Sequence, residues 1–237
     1  MRTFPSRPRQ TGFSLIELLI VCGIIAIVVG FTVPAATTLI KGTQMTQASQ
    51  LLADHMSLAR QYALTKNRSV EVRFYKFADP ETPGEDKAKL STGKFRAFQA
   101  FEVLESGGSV AIFKVQRLPS TVIMNESVEL SSLIGAQDRI SAQTQKSRDA
   151  SLPDLPREVG LNYEYVKFRF QPDGSTDLNL SLTGPAEGKW YVTLHGIDYD
   201  AVTTTSPKDS SSKQINFFTL QVDPVSGATK SYRPTAG

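Results

Sequence analysis

The stretch GFSLIELLIV, residues 12–21, decides the fold because it opens a long apolar segment directly after a basic one. From Leu18 to Ile40 the chain contains no Asp, Glu, Lys or Arg, and roughly 20 helical residues are enough to cross a bilayer core. The preceding segment contains arginines but no acidic residue, which favours a cytoplasmic N-terminus. The pattern therefore predicts a transmembrane helix over residues 13–41, behind a basic leader at residues 1–12.

Two simpler interpretations of this segment fit less well. An ordinary secretory signal has a shorter apolar core that ends at a small-x-small site, which residues 41–43 do not resemble. A plain membrane anchor fits the length but leaves Glu17 unexplained. A carboxylate at the edge of an apolar helix is costly unless it finds a partner, so Glu17 is a functional candidate. The alternative for Glu17 is an interfacial carboxylate in the headgroup region.

Residues 12–21 closely resemble the processing site of type IV prepilins and type II secretion pseudopilins. The resemblance implies that prepilin peptidase cuts between Gly12 and Phe13 and that Phe13 is N-methylated. It also implies that Glu17 pairs with the N-terminal amine of a neighbouring subunit in a filament. The expected partners are therefore prepilin peptidase, the inner membrane, and other pilin-like subunits packed through the N-terminal helix.

The chemistry of this motif is coherent. A glycine at position 12 lets a peptidase approach the backbone closely. Cleavage creates a cationic amine on Phe13, one helical turn from Glu17. In a water-poor helical core, leaving either charge unpaired costs several kcal/mol, so the pair sets axial register. Cleavage also removes three arginines and leaves 23 basic and 23 acidic residues, which does not favour a nucleic-acid partner.

Two further residues stand inside the apolar segment. Pro34 predicts a helix kink, and the resemblance places it where filament subunits locally unwind. The alternative is a proline that is merely tolerated in a membrane helix. Cys22, the one cysteine, allows no intrachain disulfide and is interpreted as a small apolar residue of the helix.

Beyond Lys41 the pattern becomes amphipathic, with apolar residues at helical spacing. The stripe consists of Ala48, Leu51, Leu52, Met56, Ala59, Tyr62 and Ala63. We therefore expect one helix from about Ser14 to about Lys66, whose part over residues 42–67 packs on a globular domain. His55 lies close to the stripe and is interpreted as a packed or half-exposed histidine rather than a metal ligand.

From Ser69 the periodicity changes to two, which is typical of half-buried strands. The fold class is therefore α+β, with a long N-terminal helix packed on an antiparallel β-sheet domain over residues 68–237. The predicted strands are Ser69–Phe77, Phe95–Glu105, Val110–Leu118, Tyr163–Gln171, Asp177–Leu182, Trp190–Leu194 and Asn216–Val222, with a closing strand that ends near Ser231. The predicted loops lie near 79–94, 125–161 and 203–213, the second with a short helix near Ser131–Ile140.

Three passages of this domain resemble minor pseudopilins of the GspH/FimT type. The segment FRFQPDGS at residues 168–175 resembles their strand-turn segment. Residues 51–74 are similar to the junction between helix and first strand, and residues 217–231 to the closing strand pair. A related resemblance is to the prepilin-signal proteins of Verrucomicrobia-type cassettes.

No catalytic motif occurs in the chain, so the sequence predicts no enzyme and no cofactor or metal. His195 is expected at the surface, at a strand end. The acidic group of Asp79, Glu81, Glu85 and Asp86 suggests calcium, but its spacing matches no known loop and favours a solvated loop.

The predicted function is a structural one, that of a minor pseudopilin or pilin-like subunit of a type II secretion or type IV pilus-like filament. It predicts a single-pass inner-membrane protein with a periplasmic C-terminal domain that later enters the filament. An alternative is a DNA-binding minor pilin that uses Lys230 and Arg233, on either side of Tyr232. A membrane-anchored enzyme has no candidate residues in its favour.

Overall fold

The computed structural model describes residues 14–86, 89, 92–135, 143–145, 163–179, 189–197 and 216–233, and the side chains of all of these except 31–39 and 143–145. The chain forms two compact units, Met1–Lys41 and Gly42–Gly237.

One long helix, α1, extends over Leu15–Lys66 and agrees with the predicted helix. Its C-terminal end is a Schellman-type cap. Asn67 adopts a left-handed backbone with φ of 51°, and the backbone N–H of Arg68 donates to the carbonyl of Ala63 at 3.2 Å. Asparagine tolerates this conformation better than most residues, which explains why the helix ends here.

Ten strands among the described residues form one antiparallel sheet. They are β1 Val70–Phe77, β2 Lys94–Val103, β3 Ser109–Ala111, β4 Gln116–Arg117, β5 Val122–Met124, β6 Gln143–Gln145, β7 Tyr163–Phe170, β8 Trp190–Gly196, β9 Phe217–Val222 and β10 Thr229–Tyr232. The strand order is β10-β9-β8-β5-β2-β1-β7-β6, and β3 and β4 pair with β2 beside this path. A short helix, α2, covers Ser132–Gly135.

The sheet is centred on β1, which pairs with β2 on one side and β7 on the other. Val72 and Phe74 of β1 belong to the main core, whereas Tyr75 and Phe77 belong to a second cluster. This alternation follows the two-residue period of a strand, so the two faces of the sheet carry different chemistry.

In the globular unit, one stripe of α1 packs on the sheet. The fully buried members of this stripe are Met45, Ala48, Leu52, Met56, Ala59 and Ala63. They share one core with Phe74 of β1, Phe168 of β7 and Trp190 of β8. The predicted α+β class, with a helix packed on an antiparallel sheet, is therefore confirmed.

Two predicted strands of the β-domain were wrong, and two observed strands were not predicted. The expected strand Val110–Leu118 is interrupted, because only β3 and β4 pair with β2 and residues 112–115 leave the ladder. Residues 177–179 form no strand; a single bridge joins Phe170 to Thr176 instead. Strands β5 and β6 were not predicted, because segments of three residues are too short to show a period.

Some predicted elements fall beyond the described residues. These are the rest of the strand to Leu182, the rest of the helix to Ile140, the loop at 203–213 and the whole segment 146–161. The loop near 79–94 is described except at residues 87, 88, 90 and 91.

Candidate processing and assembly site

The first described residues of the chain form a capping box at the start of α1. The backbone N–H of Glu17 donates to the Ser14 hydroxyl oxygen at 3.2 Å, and the N–H of Ser14 donates to the Glu17 carboxylate at 3.4 Å. Such reciprocal bonds satisfy two backbone donors that a helix start leaves open. Glu17 therefore fixes the first turn of the helix, a role that its Ser-x-x-Glu spacing could have predicted.

The side chains of the first unit from Ser14 to Gly30 are all exposed. Leu15 and Ile16 show 82% and 68% of their surface, and the apolar residues up to Val29 are also well exposed. Cys22 is a free, exposed thiol. An apolar surface of this extent on a helix is typical of a segment that is covered by other molecules.

We found no helical stretch that is long and apolar enough to cross a membrane among the residues whose side chains are described, which exclude 31–39.

The cleavage site itself, Gly12 and Phe13, lies outside the described residues. Pro34 lies within α1, but its side chain is outside the described set. Cleavage, N-methylation, the register role of Glu17 and the kink at Pro34 therefore stay predictions.

Within the globular unit, Arg60 of α1 joins two turns that are distant in sequence. Its Nε donates to the carbonyl oxygen of Ser226 at 2.9 Å and to that of Gly174 at 3.3 Å. The Gly174 turn lies in the passage at 168–175 that resembles minor pseudopilins, and the Ser226 turn joins β9 to β10. This contact ties both turns to the helix, which sequence reasoning did not predict.

Two of the acidic residues after β1 do not lie in a solvated loop, as predicted, but in a buried ion cluster. The side chains of Asp79 and Glu85 are only 4% and 6% exposed, and both pair with the guanidinium of Arg96, which is 2% exposed. Asp79 also pairs with Arg117. The prediction was wrong because the arginines that supply the counter-charge come from β2 and β4, which are distant in sequence.

The arginines also account for the charge state of this cluster. Burial raises the pKa of Asp79, but a backbone N–H from Glu81 and the charges of Arg117 and Arg96 outweigh it and hold the pKa below its usual value. Glu81 and Asp86 remain exposed. Among the described residues, no group of three or more His, Cys, Asp or Glu could hold a metal ion.

Both histidines are packed against other residues of the globular unit. His55 is half-buried; its Nδ1 lies 2.8 Å from the carbonyl oxygen of Leu51, and its ring stands edge-on to Phe98 and Phe113. His195 is buried, with 5% exposure, so its predicted surface position was wrong. It lies 3.1 Å from the Asn125 amide.

The residues of the DNA-binding alternative are Lys230, on β10, and Arg233, directly after it, at one end of the described strand order. Both are exposed, and Arg233 donates to the Thr46 hydroxyl of α1 at 3.1 Å. Two exposed cations do not by themselves form a groove that would bind nucleic acid, so the DNA-binding alternative stays a prediction.

Comparison with known proteins bears mainly on the N-terminal segment. Residues 7–33 match the family model of the prokaryotic N-terminal methylation motif. No curated protein matches the chain.

Two solved structures are similar to this protein. One is the minor pseudopilin EpsH from the type 2 secretion system of Vibrio cholerae, with 7% identity over 81% of this chain and 99% of that chain, at a TM-score of 0.40. The other is the type IV minor pilin FimU of Pseudomonas aeruginosa, with 10% identity over 84% of this chain and 98% of that chain, at a TM-score of 0.37.

The family model covers the predicted cleavage position and the capping box together, and so supports the resemblance that residues 12–21 showed on their own. The N-terminal segment of this protein therefore carries a prepilin-type N-terminal methylation motif.

Proposed function

We propose that this protein is a pilin-like structural subunit, of the minor pseudopilin or minor pilin kind, in a type II secretion or type IV pilus-like filament. The observation that carries the proposal is the methylation motif over residues 7–33, which overlaps the first part of the charge-free run Leu18–Ile40. The protein enters the inner membrane with its N-terminus in the cytoplasm and its globular unit in the periplasm.

Processing prepares the chain for assembly. Prepilin peptidase removes residues 1–12 and methylates Phe13, which leaves a cationic amine next to Ser14. Among the described residues, the Glu17 carboxylate accepts a single long bond of 3.4 Å, from the Ser14 N–H, so its oxygens keep capacity for that amine in a neighbouring subunit. The exposed apolar side chains from Leu15 to Val29 then become buried among other helices.

Substituting Gly12 tests the processing step. In cells that contain prepilin peptidase, we expect Gly12→Leu to accumulate as full-length chain, whereas the wild type is cut before Phe13 and gains one methyl group. Intact mass spectrometry measures both changes. Gly23→Leu is the matched control, because Gly23 has open space around it and lies beyond the cleavage site. Equal cleavage of Gly12→Leu and wild type would reject the proposal.

Glu17→Gln separates assembly from processing. Glutamine can replace glutamate in a capping box, so the helix start is kept while the charge is lost. We expect this variant to be cleaved normally but to cross-link to other subunits at least tenfold less than wild type, since an unpaired buried amine costs several kcal/mol. Cross-linking through a cysteine introduced at Ile24, in a Cys22→Ser background, measures it. If Glu17→Gln cross-linked as efficiently as wild type, the negative charge of Glu17 would play no part in setting axial register.

A further inference from the structure

Among the described residues, the face of the sheet opposite α1 holds more cations than carboxylates around one buried glutamate. Glu71 of β1 is 2% exposed and receives three positive side chains. Arg73 Nε lies 2.6 Å from Oε1, while Lys167 Nζ and Arg169 Nη2 lie 3.2 Å and 3.0 Å from Oε2. One carboxylate thus faces three cations.

The register of the sheet places two of these cations next to each other. Arg73 on β1 and Lys167 on β7 are directly opposite each other across the ladder. Like charges in this position destabilise a strand pair. Asp177 lies beside Arg169 and accepts its backbone N–H at 2.7 Å, but even with Asp177 the cations outnumber the carboxylates in the part of this face that the structure describes. Burial raises the pKa of the Asp177 carboxyl above its usual value.

One guanidinium nitrogen of the cluster lacks a partner. Arg73 is 5% exposed; its Nη2 donates to the Ser109 hydroxyl, and the Tyr75 hydroxyl lies near enough to interact with the guanidinium. Its Nη1 is buried and has no partner with hydrogen-bond geometry among the described residues. The rings of Phe101 and Tyr165 lie 4.1 Å and 5.1 Å from the guanidinium carbon and hold the group in place. A buried donor without an acceptor is costly, and it commonly marks the place of a water or an ion.

A second cluster provides a comparison. Arg96 also has a buried nitrogen without a partner among the described residues, Nε. There, however, Arg96 and Arg117 face the two carboxylates Asp79 and Glu85, so the charges are balanced. An unpaired donor and a surplus of positive charge occur together only at Glu71 within the described part of the chain.

We propose that Arg73, Lys167 and Arg169 form a binding site for one small oxyanion, a carboxylate or an inorganic phosphate, on the face of the sheet opposite α1. Arg73 Nη1 and the remaining N–H groups of Lys167 donate to it. Arg169, whose side chain is 41% exposed, is the most solvent-accessible of the three cations. Arginine and lysine are the side chains that bind such groups with charge-assisted hydrogen bonds.

The test measures thermal unfolding of the full-length chain in detergent micelles by the fluorescence of Trp190, which is the single tryptophan and fully buried. Sodium phosphate and sodium acetate are compared with sodium chloride at equal ionic strength. We expect a saturable rise in Tm, on the order of 3–6 °C at ten times the apparent Kd. Saturation by acetate indicates a carboxylate as the natural ligand, and saturation by phosphate alone indicates a phosphate.

The variants separate a site from a general salt effect, because phosphate also stabilises folded proteins by exclusion from their surface. We expect Lys167→Gln to lose the saturable rise, while Lys114→Gln, an exposed lysine elsewhere, keeps it. In chloride alone, Lys167→Gln should unfold at the wild-type temperature or above, because repulsion with Arg73 is relieved. Equal responses of Lys167→Gln and wild type, or a Tm of Lys167→Gln several degrees below wild type in chloride, would overturn the proposal.

Discussion

Replacing Arg96 with methionine is expected to lower the free energy of unfolding of the globular unit by about 3–5 kcal/mol, the range found when one partner of a buried ion pair is removed. Arg96 is the shared counter-ion of Asp79 and Glu85, and all three side chains are at most 6% exposed. Methionine fills a similar volume without charge. Asp79 would keep Arg117, but Glu85 would lose its only ion pair among the described residues.

Urea unfolding followed by Trp190 fluorescence measures this loss. Arg68→Met is the matched control, because it removes the same charge from an exposed pair with Glu105, where the two side chains are 40% and 86% exposed. Exposed pairs of this kind contribute roughly 0–1 kcal/mol. In the double variant Arg96→Met with Glu85→Gln, we expect part of the loss to be recovered. Equal losses for Arg96→Met and Arg68→Met would mean that water reaches the cluster and compensates the charges.

The sequence predicted those parts of the fold in which the period of the chain is long and regular. The apolar run to Ile40 and the helical period beyond Lys41 together predicted one helix to about Lys66, and Asn67 supplies the left-handed cap that ends it. Strands β1, β7 and β9 alternate over six to eight residues, so they were predicted within one residue of their ends. The methylation motif was predicted for a different reason, since its residues are contiguous and their spacing is part of the chemistry.

The parts that the sequence could not predict depend on contacts between distant segments. Asp79 and Glu85 were predicted to lie in a solvated loop, because their counter-ion, Arg96, lies on β2 and is distant in sequence. His195 was predicted at the surface, but it is buried and contacts Asn125, which lies 70 positions earlier in the chain. In both cases a polar residue is buried because its partner comes from another strand or loop, which no local pattern reports.

The same limit applies to the face opposite α1. Alternation in β1 shows that Glu71 and Arg73 share a face, but it does not show that β7 lies beside it. Only the pairing of β1 with β7 places Lys167 opposite Arg73 and reveals the surplus of charge. The proposed anion site is therefore a property of the sheet order.

The second large effect is expected at Gly227, in the turn between β9 and β10. Gly227→Ala should destabilise the globular unit by about 3–4 kcal/mol, because two independent costs add at this position. The residue has a left-handed backbone with φ of 65°, and a Cβ here would lie well under 3.0 Å from the carbonyl oxygen of Gly174. That same oxygen accepts a bond from Arg60 Nε, so moving it loosens the tie between helix and turn.

Gly107→Ala separates these two costs. Gly107 also has a left-handed backbone, with φ of 83°, but a Cβ there meets nothing within 4 Å. Its substitution should therefore cost only the backbone strain, about 1–2 kcal/mol. Urea unfolding of both variants gives the difference, which measures the close approach of the two turns that Arg60 holds together. If both alanine variants lost the same free energy, the contact between Gly174 and Gly227 would be loose, and Arg60 would bind two turns that move independently.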